Sequence, residues 1–387
     1  IEDGSGNPVE ATGDEQVELF RSVKAGNGRV EIALTDGGTL SAAQVNDLSV
    51  AGTANCYVVS APGTYVFNAR VRGNGAGEGV GFEPAIEMAD GMTADWLWTD
   101  SEGLVSGVAL DTTSGDIFLT VGEGRGNALV ALMQDGKVVW SWHVWVTDAP
   151  QTMTYGNGTV FMDRNLGAAG TTAGGTDAYG MYYQWGRKDP FYGGEKTETS
   201  ANAFLEAKNG TVVNPAYPAL DWAFSKSATT TDGAAANPMT FYNDKVGTGY
   251  NWLASPNATL WGEAKTLNDP CPPGYRVPET GAWEDLISGR QYIDGVSVWD
   301  GTNYGMTYTH GGQTAWYPAQ GYRNYSSGAI VGLRSSTGGS GAYWSAETSS
   351  VKSYYLFFRS KLSSSGSINN ELDMNRSYGY TVRCCKE

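Results

Sequence analysis

The sequence predicts a multi-domain protein in which an all-β sandwich is followed by a mixed α+β domain. Three observations lead there. The chain has 387 residues, beyond the ~250 to 300 at which single cores stop growing. Its surface chemistry changes near Pro150: residues 1–150 carry 21 acidic and 7 basic side chains, residues 151–387 carry 20 and 18, and only Tyr57 and Tyr65 of the 22 tyrosines lie before that point. Finally, 53 glycines without a repeating period point to many tight turns between short strands.

In order along the chain, the polar text of residues 1–28 reads as a flexible leader. Residues 29–150 read as the β-sandwich. Over 63–73, Tyr65, Phe67, Ala69 and Val71 alternate with Val66, Asn68, Arg70 and Arg72, the signature of a half-buried strand. Residues 128–146 are two β-rich runs joined by Asp135-Gly136, a pair that suits the positive φ angles of a type I′ hairpin turn. Further short strands are expected at 30–35, 55–60 and 116–121, and seven or so such strands make a sandwich.

Residues 151–387 read as mixed. Short helices are expected at 200–208 and at 280–288, the latter with Thr280 as its N-cap. The runs "YWSAE", "YYLFFRS" and "YTVRCC" have strand composition, with a Ser/Gly/Asn-rich loop expected over 360–370.

Composition also excludes functions. The net charge of −16 disfavours a nucleic-acid partner, which needs surplus cations to release counterions from phosphates. No apolar run approaches the ~20 residues needed to cross a bilayer, and residue 1 opens an acidic, polar stretch without a basic or apolar leader region, so any signal peptide is expected to have been removed or never to have been there. Only His143 and His310 are available as imidazoles. His143 reads as a structural residue on a Trp-lined strand, and His310 as a loop residue within reach of a ligand. The cysteines contain no C-x-x-C pair and the sequence has no H-E-x-x-H, G-x-S-x-G or P-loop, so neither a metal nor a cofactor is implied.

Three stretches are distinctive: "FMDRNLGA" at 161–168, "YGMYYQWGRKDPF" at 179–191 and "NDPCPPGYRVPETGAW" at 268–283. Together with "YWSAE" and the terminal "VRCCKE", they resemble the FISUMP family, the major paralogous domain of surface proteins in Bacteroidetes and Fibrobacter. The stretches 54–75 and 126–148 look like the β-domain that precedes it in fimbrillin-like proteins. The resemblance implies a C-type-lectin-like fold for the second domain, in an exported, cell-surface protein serving as a fimbrial tip or accessory subunit. It also implies that Cys271 is bridged to the end of the chain, with Cys384 favoured and Cys385 the alternative, because neighbouring strand residues face opposite sides. Cys56 reads as a small buried hydrophobe.

Within these motifs, Asp163 and Arg164 read as an ion pair at a turn. Trp185 reads as an interior residue able to stack with Arg187, and Asp189-Pro190 as a turn. The ligand site is expected in the aromatic, glycine-rich text after residue 298, at Trp299, Asp300, Asn303, Tyr304, Tyr308, Trp316, Tyr317, Tyr322, Arg323 and Tyr325. Exposed rings accept the C–H faces of sugars while Asp and Asn bond their hydroxyls, and the same composition suits protein-binding loops. The expected activity is therefore non-enzymatic adhesion to a glycan or host protein. The alternatives are a structural surface module without a ligand and, on a pair of facing carboxylates, a carbohydrate-active enzyme.

Overall fold

The computed structural model describes residues 24–25, 28–35, 39–74, 84–193, 211–243, 251–333, 339–360 and 367–387, with side chains from residue 45 onward. The chain is mostly β, arranged in several sheets. The first part contains β1 (Lys24–Ala25), β2 (Gly28–Thr35), β3 (Thr39–Asp47), β4 (Cys56–Val59), β5 (Gly63–Asn68), β6 (Met92–Thr99), β7 (Val105–Asp111), β8 (Asp116–Val121), β9 (Gly126–Gln134) and β10 (Lys137–Val146). One sheet runs β1-β2-β3-β5-β8-β7; a second has β6, β9, β10 and β4 as neighbours. The end of the expected leader is strand rather than free chain, because Lys24 pairs with Arg29 and Ala25 with Gly28.

Alternation explains how these sheets pack. Phe67, Ile117 and Leu119 of the first sheet meet Val130, Leu132, Trp142 and Val144 of the second in one buried cluster. The intervening residues of the second sheet, Leu129, Ala131, Met133 and Trp145, point the other way into a different cluster built mainly from the second part of the chain. The sheet is thus buried on both faces. The run "ALVALM" at 128–133 carries that information, since strands covered on both sides read as unbroken apolar text. The Asp135-Gly136 turn has φ values of 51° and 73°, as a type I′ hairpin requires.

The second part is tied to this sheet by backbone and by buried polar groups. Val212–Val213 pairs antiparallel with β6, extending the sheet beyond residue 150. Trp145 Nε1 donates to the Ala168 carbonyl at 2.9 Å, and Asn55 Nδ2 donates to the carbonyls of Leu267 and Asp269 at 2.7 and 2.9 Å. Buried Lys188 and Asp189 pair at 2.5 Å, and both bond Ser141 on the outer face of β10.

A seven-stranded sheet dominates the second part. Its order is Tyr183–Gln184, Gly379–Tyr380, Gln320–Arg323, Ser340–Ser349, Lys352–Arg359 and Ile368–Asn375, with Ile330–Leu333 also pairing Gln320–Arg323. A three-stranded meander, Ser297–Asp300, Gly305–His310 and Gln313–Pro318, stands beside it. Helix is scarce: α1 spans Thr231–Ala236, capped by the Thr230 hydroxyl accepting from the Gly233 N–H.

Several local expectations change here. The helix expected at 280–288 is a 3-10 turn over Thr280–Leu286 followed by strand, and Thr280 is no N-cap. Its hydroxyl instead pairs with that of Ser345 at 3.0 Å, a tertiary partner outcompeting the local one. Residues 368–370, expected as loop, belong to a strand held by Lys352–Arg359. The helix expected at 200–208 lies outside the described residues.

Candidate functional site

The expected site divides into residues that the fold swallows and residues that it leaves at the surface. Trp316, Tyr317, Tyr308 and Arg323 are buried, so the expectation of exposed ligand-binding groups is corrected at these four. Trp316 is buried because Gly305 lacks a side chain: a Cβ there would lie 2.4 Å from its ring. The Tyr317 hydroxyl sits 2.5 Å from that of Tyr155, with the Arg383 guanidinium 3.7 Å over its ring. Tyr308 packs on Tyr155 at 4.3 Å, and its hydroxyl accepts from the Gly156 N–H at 3.2 Å. Arg323 lies over Tyr192 at 4.3 Å and donates to the Tyr192 and Gly328 carbonyls at 2.6 Å each. These contacts make the four residues struts.

Trp299, Asp300, Asn303 and Tyr304 are half-buried at the tip of the meander. Asp300 accepts from the backbone of Thr302 and Asn303 at 2.8 and 3.0 Å and from Asn303 Nδ2 at 2.8 Å. Partial burial opposes its ionisation, but these bonds prevail and hold its carboxyl below the ordinary range. Both side chains are thereby engaged in shaping their own turn, in which Tyr304 takes φ 54°. Trp299 leans on Phe358, 6.5 Å between ring centroids.

Tyr322, on the seven-stranded sheet, and Tyr325, in the turn that follows its strand, belong to a different group. Tyr325 meets Tyr378 at 4.9 Å, Tyr378 meets Tyr322 at 5.7 Å, and Tyr322 meets Tyr380 at 5.4 Å. Tyr380 continues inward to Tyr355 at 4.8 Å and Trp344 at 4.3 Å. Tyr322, Tyr325 and Tyr378 are half-buried, Tyr355 and Tyr380 buried, so a rooted ribbon of rings breaks the surface at three tyrosines. Partly buried Phe357 and Leu372 flank it on the same cluster. Burial pushes the Tyr378 phenol up to about 12, so its hydroxyl stays protonated near neutral pH. Tyr378 was not among the expected residues; its signal is "RSYGY" at 376–380, where Tyr alternates with Gly.

The motif residues are structural. Arg164 is held by Asp163 and Asp148, both at 2.9 Å. Asn165 bonds Gln320 and Tyr343 at 2.8 and 3.1 Å and receives Arg383 at 2.8 Å. Trp185 is buried, but the guanidinium stacked on it is that of Arg376 at 4.4 Å; Arg187 lies over Phe191 at 4.9 Å instead. His143 is buried, 2.8 Å from Asn127 Oδ1, and burial lowers its pKa to about 3, leaving the ring neutral. His310 is exposed beside Tyr308. Cys271 and Cys384 form a disulfide, while Cys56 and Cys385 are free and buried.

Sequence reading missed a buried pair behind the proline turn. Lys265 Nζ lies 3.5 Å from Asp269 and donates to the carbonyls of Cys271, Pro272 and Tyr275. The Asp269 carboxylate accepts from the N–H groups of Cys271 and Val277 at 2.8 and 2.9 Å. An isolated Lys four residues before an Asp carries no such signal without the turn folded over it.

Among the described residues, no group of three or more His, Cys, Asp or Glu side chains is placed to hold a metal, and no helix is long and apolar enough to cross a membrane. No family model, curated protein or solved structure matches the chain.

Proposed function

We propose that this is a non-enzymatic, exported cell-surface adhesion protein of the FISUMP kind, a fimbrial tip or accessory subunit that binds a glycan or host protein. In this reading the facing sheets of the first part form the β-sandwich and the second part is C-type-lectin-like. The tyrosine ribbon ending in Tyr322, Tyr325 and Tyr378 carries the binding reading, because its rings are rooted in the core and cost little entropy to present. The Cys271–Cys384 disulfide supports export, since such bonds persist in oxidising compartments.

A structural module without a ligand is the second reading, favoured by the burial of Trp316, Tyr317, Tyr308 and Arg323. Glycan arrays and host-protein pull-downs with the full chain separate the two. Adhesion predicts binding that Tyr322→Ala and Tyr378→Ala weaken together; a folded protein that captures nothing favours the second reading. Immunogold labelling of intact cells tests the location, and label confined to the cell interior refutes it.

A further inference from the structure

A cleft of about 610 Å3 opens between the two parts of the chain, within the ~300 to 1,000 Å3 common for ligand sites. One wall is Arg72 with Val139 and Trp140 of β10; the other is α1 and the segment from Asn257 to Asn268. Val139, Leu260 and Leu267 provide apolar surface, and Thr231, Thr259 and Asn268 provide hydroxyl and amide groups around it. Trp140 is fixed by its indole N–H donating to Asn55 at 3.0 Å. Cations lie over its ring, Lys188 at 4.4 Å and Arg72 at 5.8 Å from the centroid.

The charge of the lining narrows the ligand. Among the described residues, Arg72 and Asp232 are its only charged side chains, and they give the lining neither a net positive charge for a polyanion nor a net negative one for an amine. Asp232, exposed at the start of α1, can instead accept from neighbouring sugar hydroxyls with two oxygens, while Arg72 is engaged at the rim, its Nη1 reaching the Pro84 carbonyl at 3.4 Å. Apolar patches for C–H faces beside hydroxyl, amide and carboxylate groups describe a site for sugar rings.

We infer that this cleft binds a neutral oligosaccharide, an inference that rests on the surface-binding reading and gives it a site separate from the tyrosine ribbon. The test is calorimetric titration of the full chain with maltohexaose, cellohexaose, xylohexaose and mannohexaose. At least one binds, and Asp232→Ala and Asn268→Ala each weaken it tenfold or more, whereas Val50→Ser, at an exposed position outside the cleft, does not. Asp232 is exposed at the start of α1, so its truncation leaves the fold intact. Binding that both cleft variants leave unchanged but Tyr378→Ala abolishes overturns the cleft and keeps the surface-binding reading. Failure of all four sugars also overturns the cleft, while immunogold labelling decides the surface reading on its own.

Discussion

Arg164 and Asp148 form a two-pronged ion pair at the point where the first part of the chain passes into the second: Nη1 meets Oδ1 at 2.9 Å and Nη2 meets Oδ2 at 3.1 Å. Arg164 is buried and Asp148 half exposed. The hydrogen bonds from Arg164 hold the Asp148 carboxyl at about 2. Because this pKa is depressed on folding, the stability it confers is present above the unfolded value and is lost as pH falls from about 4 to about 2. Asp148→Ala is expected to lower stability by about 1 kcal/mol at pH 7, the exposure of the carboxylate limiting the effect. The difference from the parent protein should narrow steadily in denaturant melts from about pH 4 to about pH 2; a constant difference would contradict it.

Asp100 works in the opposite direction. Its carboxylate is turned inward, and burial raises its pKa to about 6 despite bonds from the Asn127 backbone and side chain at 2.8 and 2.7 Å. The folded state therefore holds this proton more tightly than the unfolded chain, so the contribution is present at low pH and is lost as pH rises through about 6. Asp100→Asn keeps an acceptor for Asn127 and removes the penalty. Its melting temperature at pH 7.5 should equal or exceed the parent's, with the advantage gone at pH 4.

Lys188 and Asp189 are both buried against Ser141. Removing one partner leaves an uncompensated charge, so Asp189→Ala is expected to cost about 3 to 5 kcal/mol. The double variant Lys188→Met with Asp189→Ala should cost clearly less than the sum of the singles. Additive losses in urea titrations would show that the pair is not coupled.

The disulfide closes a span of 113 residues, for which the chain-entropy account gives about 4 to 5 kcal/mol. Cys271→Ser should show most of that loss, and non-reducing peptide mapping should recover Cys271 linked to Cys384. Cys56 and Cys385 are expected to resist iodoacetamide in the native state, because burial raises both thiols, that of Cys385 to about 11. Labelling of Cys385 before unfolding would count against its burial.

The sheet shared by the two parts makes residues 151–387 unsuited to independent folding, since Leu129, Met133 and Trp145 complete their core. That fragment should bind a hydrophobic dye and lack a cooperative melt, while Trp145→Ala in the full chain should cost about 3 to 5 kcal/mol. A sharply melting fragment would refute this dependence.

Much of the local architecture is written in short-range pattern. Alternation from Tyr65 to Val71 and the Asp135-Gly136 pair locate β5 and the hairpin of β9 and β10, because strand periodicity and turn φ depend on a few neighbouring residues. Alternation on a strand likewise allows only one of Cys384 and Cys385 to face Cys271. What covers a strand's face is not local. Trp316 is inside because Gly305 makes room for it, Tyr317 because Arg383 lies over it, and Ser141 meets Asp189 across 48 residues. Tyr322 and Tyr325 have the same composition around them, yet stay half-buried at the outer end of a series of rings whose inner members, Tyr380 and Tyr355, are buried. The sequence by itself determined β5, β8 and the β9–β10 hairpin, whose signals are local, but not the strand at 368–370 or the 3-10 turn at 280–286, where tertiary partners prevail. Burial is decided by the whole packed chain, so only the tertiary structure separated the struts from the surface.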